Sequence, residues 1–251
     1  MRFGSTVLAS LAMTASASRN LVVDTDAGLA CLDEFVDLSF ARSTLTVNNL
    51  GNQGPELDKE PIMLFEGVGE FNGKTLDLRV SIKDGFDYIL ANNKNNGVLC
   101  HSTSENPDTL SCNNQADFGQ INLAGGDQET VIVFQIQDHA TGEPVVLPGF
   151  AFSNFDIDHG VKERYVIKGW KNALYDHANT EAYFSEDEAD WCDASETCLY
   201  AYSTHMGWGC GKFNSCFVGG YIRLSVLIQP ALYLSLYRQS NWPQRSRYYL
   251  L

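Results

Sequence analysis

The chain has 251 residues, 44% of them hydrophobic and 12% aromatic, enough to bury one sizeable core. Its formal net charge is −14, and every acidic residue lies at or before Glu196; beyond it the charged side chains are all basic, Lys212, Arg223, Arg238, Arg245 and Arg247. A body this acidic repels phosphate backbones, which argues against nucleic acid as a partner and suits solubility and cation binding.

The opening stretch "MRFGSTVLASLAMTASASRN" has the layout of a secretory leader. Arg2 supplies a positive start, residues 7–15 are apolar, and Ala15-Ser16-Ala17 fits a small-x-small cleavage pattern, so residues 1–17 are expected as a signal peptide. The apolar part is too short to span a bilayer. Because nothing acidic precedes Asp24, organelle targeting is the alternative localisation to secretion.

Period-two alternation dominates the body. "TLTVNNLG" places Leu45 and Val47 on one face; "TLDLRVSIKDG" places Leu76, Leu78, Val80 and Ile82 on one face with Asp77, Arg79, Ser81 and Lys83 on the other; "TVIVFQIQD" sends Ile132, Phe134 and Ile136 inward. Turn sequences separate the runs: "NQGPE", "FNGK", "NNKNNG", "AGGDQ", "ATGEP" and "DHG". No stretch of comparable length has a helical period. The expected fold is all-β, an antiparallel β-sandwich of jelly-roll-like or immunoglobulin-like kind, as a single domain over 18–237 followed by a basic tail at 238–251.

Residues 181–198 are acid-rich and lack calcium-loop spacing, so they read as an exposed loop pinned by Cys192 and Cys198. The seven cysteines also offer the local pairs Cys100 with Cys112 and Cys210 with Cys216, which leaves Cys31 alone. In a secreted chain these form disulfides, although spacing does not fix connectivity; no CxxC or zinc-finger spacing is present. Residues 217–237 approach the length of a membrane span, but Arg223, Gln229 and Pro230 interrupt them. Alternation of Ile222, Leu224, Val226 and Ile228, then of Leu232, Leu234 and Leu236, favours two closing strands around Gln229-Pro230.

Two readings compete for "FDIDHG", residues 155–160. Asn154, Asp156 and Asp158 leave one face of a strand at roughly 6.5–7 Å spacing, so their oxygens can converge on one ion. Calcium takes about 6–8 oxygen ligands, which Asp, Asn and backbone carbonyls near a turn can supply; Glu163 past the turn would add a bidentate one, and Asp127 in "GGDQE" would approach the same end of the sheet. Alternatively, a hairpin pairing Phe155 with Tyr165 and Ile157 with Glu163 sets Asp158 opposite Lys162 and Asp156 opposite Arg164, an ordinary cross-strand charge arrangement. Near the C-terminal side, Trp191, Tyr202 and Trp208 are candidate sugar-stacking aromatics. No metalloprotease, nucleophile-elbow, P-loop or dinucleotide motif occurs, so no catalytic residue is assigned.

Residues 118–169, with "INLAGGDQETVIVF", "DHATGEPVV" and "FDIDHGVKE", resemble a module of secreted and surface proteins of algae and other microbial eukaryotes. "LTVNNLGNQGPE" and "LDLRVSI" extend the resemblance to roughly residues 44–211. It implies a β-sandwich in an extracellular setting and implies no reaction. The chain departs from that pattern after Gly211, where a basic, aromatic continuation replaces an Asp- and Pro-rich one. The combined expectation is a secreted, non-catalytic binding or adhesion module that meets an extracellular glycan or protein surface, with calcium as its candidate cofactor. A carbohydrate-binding protein and an extracellular hydrolase using Asp156 or Asp158 are the alternatives.

Overall fold

The computed structural model describes residues 20–23, 36–90, 96–99, 118–124, 128–155, 163–168, 170–175, 182–187, 198–203, 222–226, 231–238 and 246–250. Their strands, in chain order, are β1 (Asn20–Val23), β2 (Thr44–Asn48), β3 (Met63–Phe71), β4 (Lys74–Ile82), β5 (Gly97–Leu99), β6 (Phe118–Leu123), β7 (Gln128–Asp138), β8 (Phe150–Phe155), β9 (Glu163–Lys168), β10 (Trp170–Tyr175), β11 (Ala182–Asp187), β12 (Cys198–Ser203), β13 (Ile222–Val226), β14 (Ala231–Arg238) and β15 (Ser246–Leu250). Two single-turn 3₁₀ segments, Phe40–Arg42 and Leu50–Asn52, are the helical elements among the described residues. The strands form two sheets, ordered β1-β10-β13-β8-β15-β6-β5 and β11-β12-β9-β14-β7-β4-β3-β2. Every pairing is antiparallel except that of β1 with β10. The protein is therefore β-rich, with two largely antiparallel sheets.

Alternation explains the central strands. Leu76, Leu78 and Val80 on β4 are buried, as are Ile132, Phe134 and Ile136 on β7, and β4 pairs β7 with Leu78 opposite Ile136 and Val80 opposite Phe134. The same core takes Ile121 and Leu123 from β6 and Phe150 and Phe152 from β8, which belong to the other sheet. Phe134 meets Phe152 with ring centroids 4.9 Å apart, so the two sheets share one apolar layer. Near one end of that layer Phe40 meets Phe65 edge to face at 4.8 Å. The "FNGK" signal is the β3–β4 turn: Phe71 pairs Lys74, and Asn72 and Gly73 both have positive φ, 50° and 76°, as a two-residue type I′ hairpin requires.

The connections from β6 onward mostly cross between sheets, and this overturns the hairpin expected around residues 155–165. β8 pairs β13 and β15, whereas β9 lies in the other sheet between β12 and β14. Phe155 stands opposite Tyr249, and Tyr165 opposite Ala201 and Leu236, so the register that would set Asp156 against Arg164 does not form. Amphipathic alternation marks an inward face without stating which layer supplies it, and here β8 and β9, consecutive in the chain, belong to different sheets. The acidic stretch 181–198 is likewise not one loop: Ala182–Asp187 forms β11, paired with β12 from Ala182 opposite Ser203 to Asp187 opposite Cys198. In the closing segment, β13 and β14 flank Gln229-Pro230 as two strands in different sheets, and β14 lies between β9 and β7. Residues 238–251 are not simply a tail, because Ser246–Leu250 forms β15 and pairs β6 and β8. No helix among the described residues is long and apolar enough to cross a membrane.

Candidate functional site

The residues expected to bind a cation are separated or lie outside the described residues. Asn154 sits on β8 opposite Ile222 and Leu250, while Glu163 opens β9 in the other sheet, opposite Arg238. Asp127, Asp156 and Asp158 lie outside the described residues, as do Trp191 and Trp208. Tyr202, on β12, stands opposite Tyr183 and Arg164. Cys198 is fully buried and disulfide-bonded. Cys31, Cys100, Cys112, Cys192, Cys210 and Cys216 lie outside the described residues. Among the described residues no three His, Cys, Asp or Glu side chains are grouped to hold a metal.

A different ionisable cluster does assemble, at the end of the second sheet where β3, β4 and β7 meet. Alternation along β4 points Asp77 away from the core, yet it is only 2% exposed. Its cover is a bulge in β3: the register with β4 shifts between Phe65 and Gly69, and Gly67 adopts φ 76°. A side chain would be strained there, so glycine is the residue that lets the strand fold over the carboxylate. Gly67 N–H donates to Asp77 Oδ1 at 2.9 Å. From the turn after β7, His139 Nδ1 lies 3.1 Å from both Asp77 carboxylate oxygens, and His139 N–H donates to the Thr75 carbonyl at 3.0 Å. One residue earlier, Asp138 accepts from Lys74 Nζ at 2.5 Å and from Ala140 N–H at 2.9 Å.

The electrostatics follow from these contacts. The hydrogen bond to Asp77, then its negative charge, raise the His139 pKa above its ordinary value, with smaller contributions from Glu66 and Asp138. The Lys74 hydrogen bond, followed by that of Ala140, holds the Asp138 carboxyl below its usual range. A buried carboxylate fixing one imidazole nitrogen is half of an acid–base apparatus. Through these contacts the pair ties the β7 turn to β4 and the β3 bulge. In the sequence, the only trace of this site is the pair of glycines inside the strand "LFEGVGEF".

A second polar cluster joins the far edges of the two sheets. Tyr88 O–H is within hydrogen-bond reach of Asn96 Oδ1 at 2.8 Å and the Asn122 carbonyl at 2.6 Å; Asn122 N–H donates to Asn96 Oδ1 at 2.8 Å. Asn48 Nδ2, on edge strand β2, donates to the Asn96 carbonyl beside edge strand β5 at 2.7 Å. Tyr88, Asn96 and Asn122 are all buried, and burial pushes the Tyr88 phenol pKa far above its ordinary value. These contacts stitch the sheet margins together. An apolar void of about 30 Å³ lies among Leu38, Phe40, Val68, Phe134, Phe150 and Phe152; it is far below the roughly 300 Å³ at which ligand sites begin.

No protein-family model matches the chain, and no curated protein matches it. Among solved structures, the N-terminal domain of the Streptococcus gordonii adhesin Sgo0707 is similar in structure at a TM-score of 0.42 and 15% sequence identity. The match covers 75% of this chain and 47% of that one, so this chain spans about half the length of the solved protein it matches.

Proposed function

We propose that the chain is a secreted, non-catalytic β-sandwich module that binds or adheres at a cell surface or in an extracellular matrix, with calcium ordering one end. The observation that carries this reading is the two-sheet body with a shared core, whose polar clusters are spent on internal bracing. In scaffolds of this kind binding residues sit disproportionately on the loops that the sheets position. Repeated crossing between layers favours the jelly-roll-like form over the immunoglobulin-like one. The leader-like residues 1–17 support export, and the oxidised Cys198, for which Cys192 is the proposed partner, fits an oxidising compartment.

The test is to express the full chain with a C-terminal tag, recover it from the medium, and measure its binding to intact cells, a glycan array and extracellular-matrix proteins. Saturable binding without turnover supports the proposal; retention inside the cell, or hydrolysis of any polymer lost in Asp156→Ala plus Asp158→Ala, overturns it. Sugar binding lost on replacing Trp191, Tyr202 and Trp208 would make the ligand a glycan. For calcium, a melting temperature that climbs with calcium in the wild type and stays fixed in Asp156→Asn plus Asp158→Asn supports the cation site, because an ion bound only by the folded form stabilises it by mass action. Equal curves remove it.

A further inference from the structure

The chain contains two Asn-Gly dipeptides, Asn72-Gly73 and Asn96-Gly97, and the fold treats them in opposite ways. Asn72 and Gly73 are the whole of the β3–β4 turn; both are exposed, and a Cβ built on Gly73 would meet nothing within 4 Å. Asn96 is 2% exposed, its Oδ1 is held by Tyr88 O–H and Asn122 N–H, and its carbonyl accepts from Asn48 Nδ2. We propose that Asn72 is a site of spontaneous covalent modification in the folded protein, converting to aspartate and isoaspartate through a succinimide, and that the buried network protects Asn96 from the same reaction.

The chemistry needs only the chain and water. The backbone nitrogen of Gly73, after loss of its proton, attacks Asn72 Cγ; a C–N bond forms and the side-chain amide leaves as ammonia. Water then adds to one of the two imide carbonyls. Opening at one gives aspartate and at the other isoaspartate, with no change in oxidation state. Glycine is the following residue least able to obstruct this attack, since it carries no Cβ. The type I′ turn holds Asn72 in the left-handed region, so the reaction proceeds when the turn opens. Opening a two-residue turn is a local excursion. Freeing the Asn96 amide instead breaks two buried hydrogen bonds, which slows the reaction there by about tenfold to a hundredfold.

The product changes the surface at a defined place. Aspartate at position 72 keeps a residue that tolerates the left-handed turn and adds a carboxylate two residues from Lys74, the partner of Asp138. Isoaspartate routes the main chain through an extra carbon, which the pairing of Phe71 with Lys74 across a two-residue loop does not accommodate. The change is one-way, so it accumulates with the age of the molecule. This inference is independent of where the protein is exported.

The test is peptide mapping by mass spectrometry of the full chain incubated in mildly alkaline buffer, folded in one arm and in denaturant in the other, with isoaspartate counted by enzymatic methylation. Asn72→Asp serves as the marker for the aspartate product and is expected to retain the wild-type melting temperature. The proposal expects conversion at Asn72 at least about tenfold faster than at Asn96 in the folded arm, and comparable rates in denaturant. It is overturned if folded protein shows no conversion at Asn72, or if Asn96 converts as fast as Asn72 while folded.

Discussion

Replacing Asp77 tests the brace from both sides. Asp77→Ala leaves the Gly67 N–H, now bonded at 2.9 Å, without a partner beneath the β3 bulge. An orphaned buried donor costs about 1–3 kcal/mol, and a chain of this size loses about 2–4 °C in Tm per kcal/mol. Asp77→Asn separates the charge from the hydrogen bond: the amide oxygen can still accept from Gly67, while His139 loses its anionic partner. The sign of the pH dependence then follows. His139 has a folded pKa raised by Asp77 above its ordinary value of 6.5, so the ion-pair part of its stabilisation is fully present below that ordinary value. It is lost as pH rises through the higher folded value. The charges of Glu66 and Asp138 add to the shift and stay in place in the variant. Thermal melts across this range should show the gap between wild type and Asp77→Asn widest on the acid side and narrowing upward. NMR titration of the His139 ring should give a lower pKa in the variant. A gap that is constant with pH, or a wild-type His139 that titrates at or below its ordinary value, would refute the account.

Three further outcomes follow from the packing. In Gly54→Ala, the new Cβ would lie 2.0 Å from the Asn48 carbonyl oxygen and 2.5 Å from Asn49 Cα, both backbone atoms, so the loop must open; the loss measured by denaturant titration should exceed the roughly 1 kcal/mol of an average substitution, and a neutral result would mean that the loop is not closed this tightly. Phe65→Ala removes a fully buried ring and its edge contact with Phe40, and should cost about 3–5 kcal/mol with an unchanged denaturant slope. Burial raises the Tyr88 phenol pKa in the folded protein, so stability should fall as pH rises past about 10, the ordinary phenol value. Tyr88→Phe should flatten that fall, and ultraviolet titration alongside circular dichroism distinguishes ionisation in the folded state from ionisation on unfolding.

What the sequence discloses depends on how local the cause is. The turn at Asn72-Gly73 and the inward faces of β4 and β7 are legible because a few neighbouring residues decide them: a two-residue loop that needs positive φ, and apolar side chains at every second position. Layer membership has no such signature. Phe152 and Ile167 alternate with their neighbours in the same manner, yet one enters the core from each sheet, and only the crossing connections decide it. Asp77 sharpens the point. By alternation it is equivalent to Asp156, an acid on the outward side of an amphipathic strand, in a chain with acids to spare. What makes it a buried anchor is a donor from the Gly67 bulge and an imidazole from a turn 62 residues away. An acidic residue therefore acquires a role from donors brought by distant segments, and carboxylate spacing along one strand is weak guidance. The same reasoning governs Asp156 and Asp158: their competence to bind calcium rests on which oxygens other loops deliver, and a melting temperature that climbs with calcium in the wild type but not in Asp156→Asn plus Asp158→Asn is the signature of that delivery.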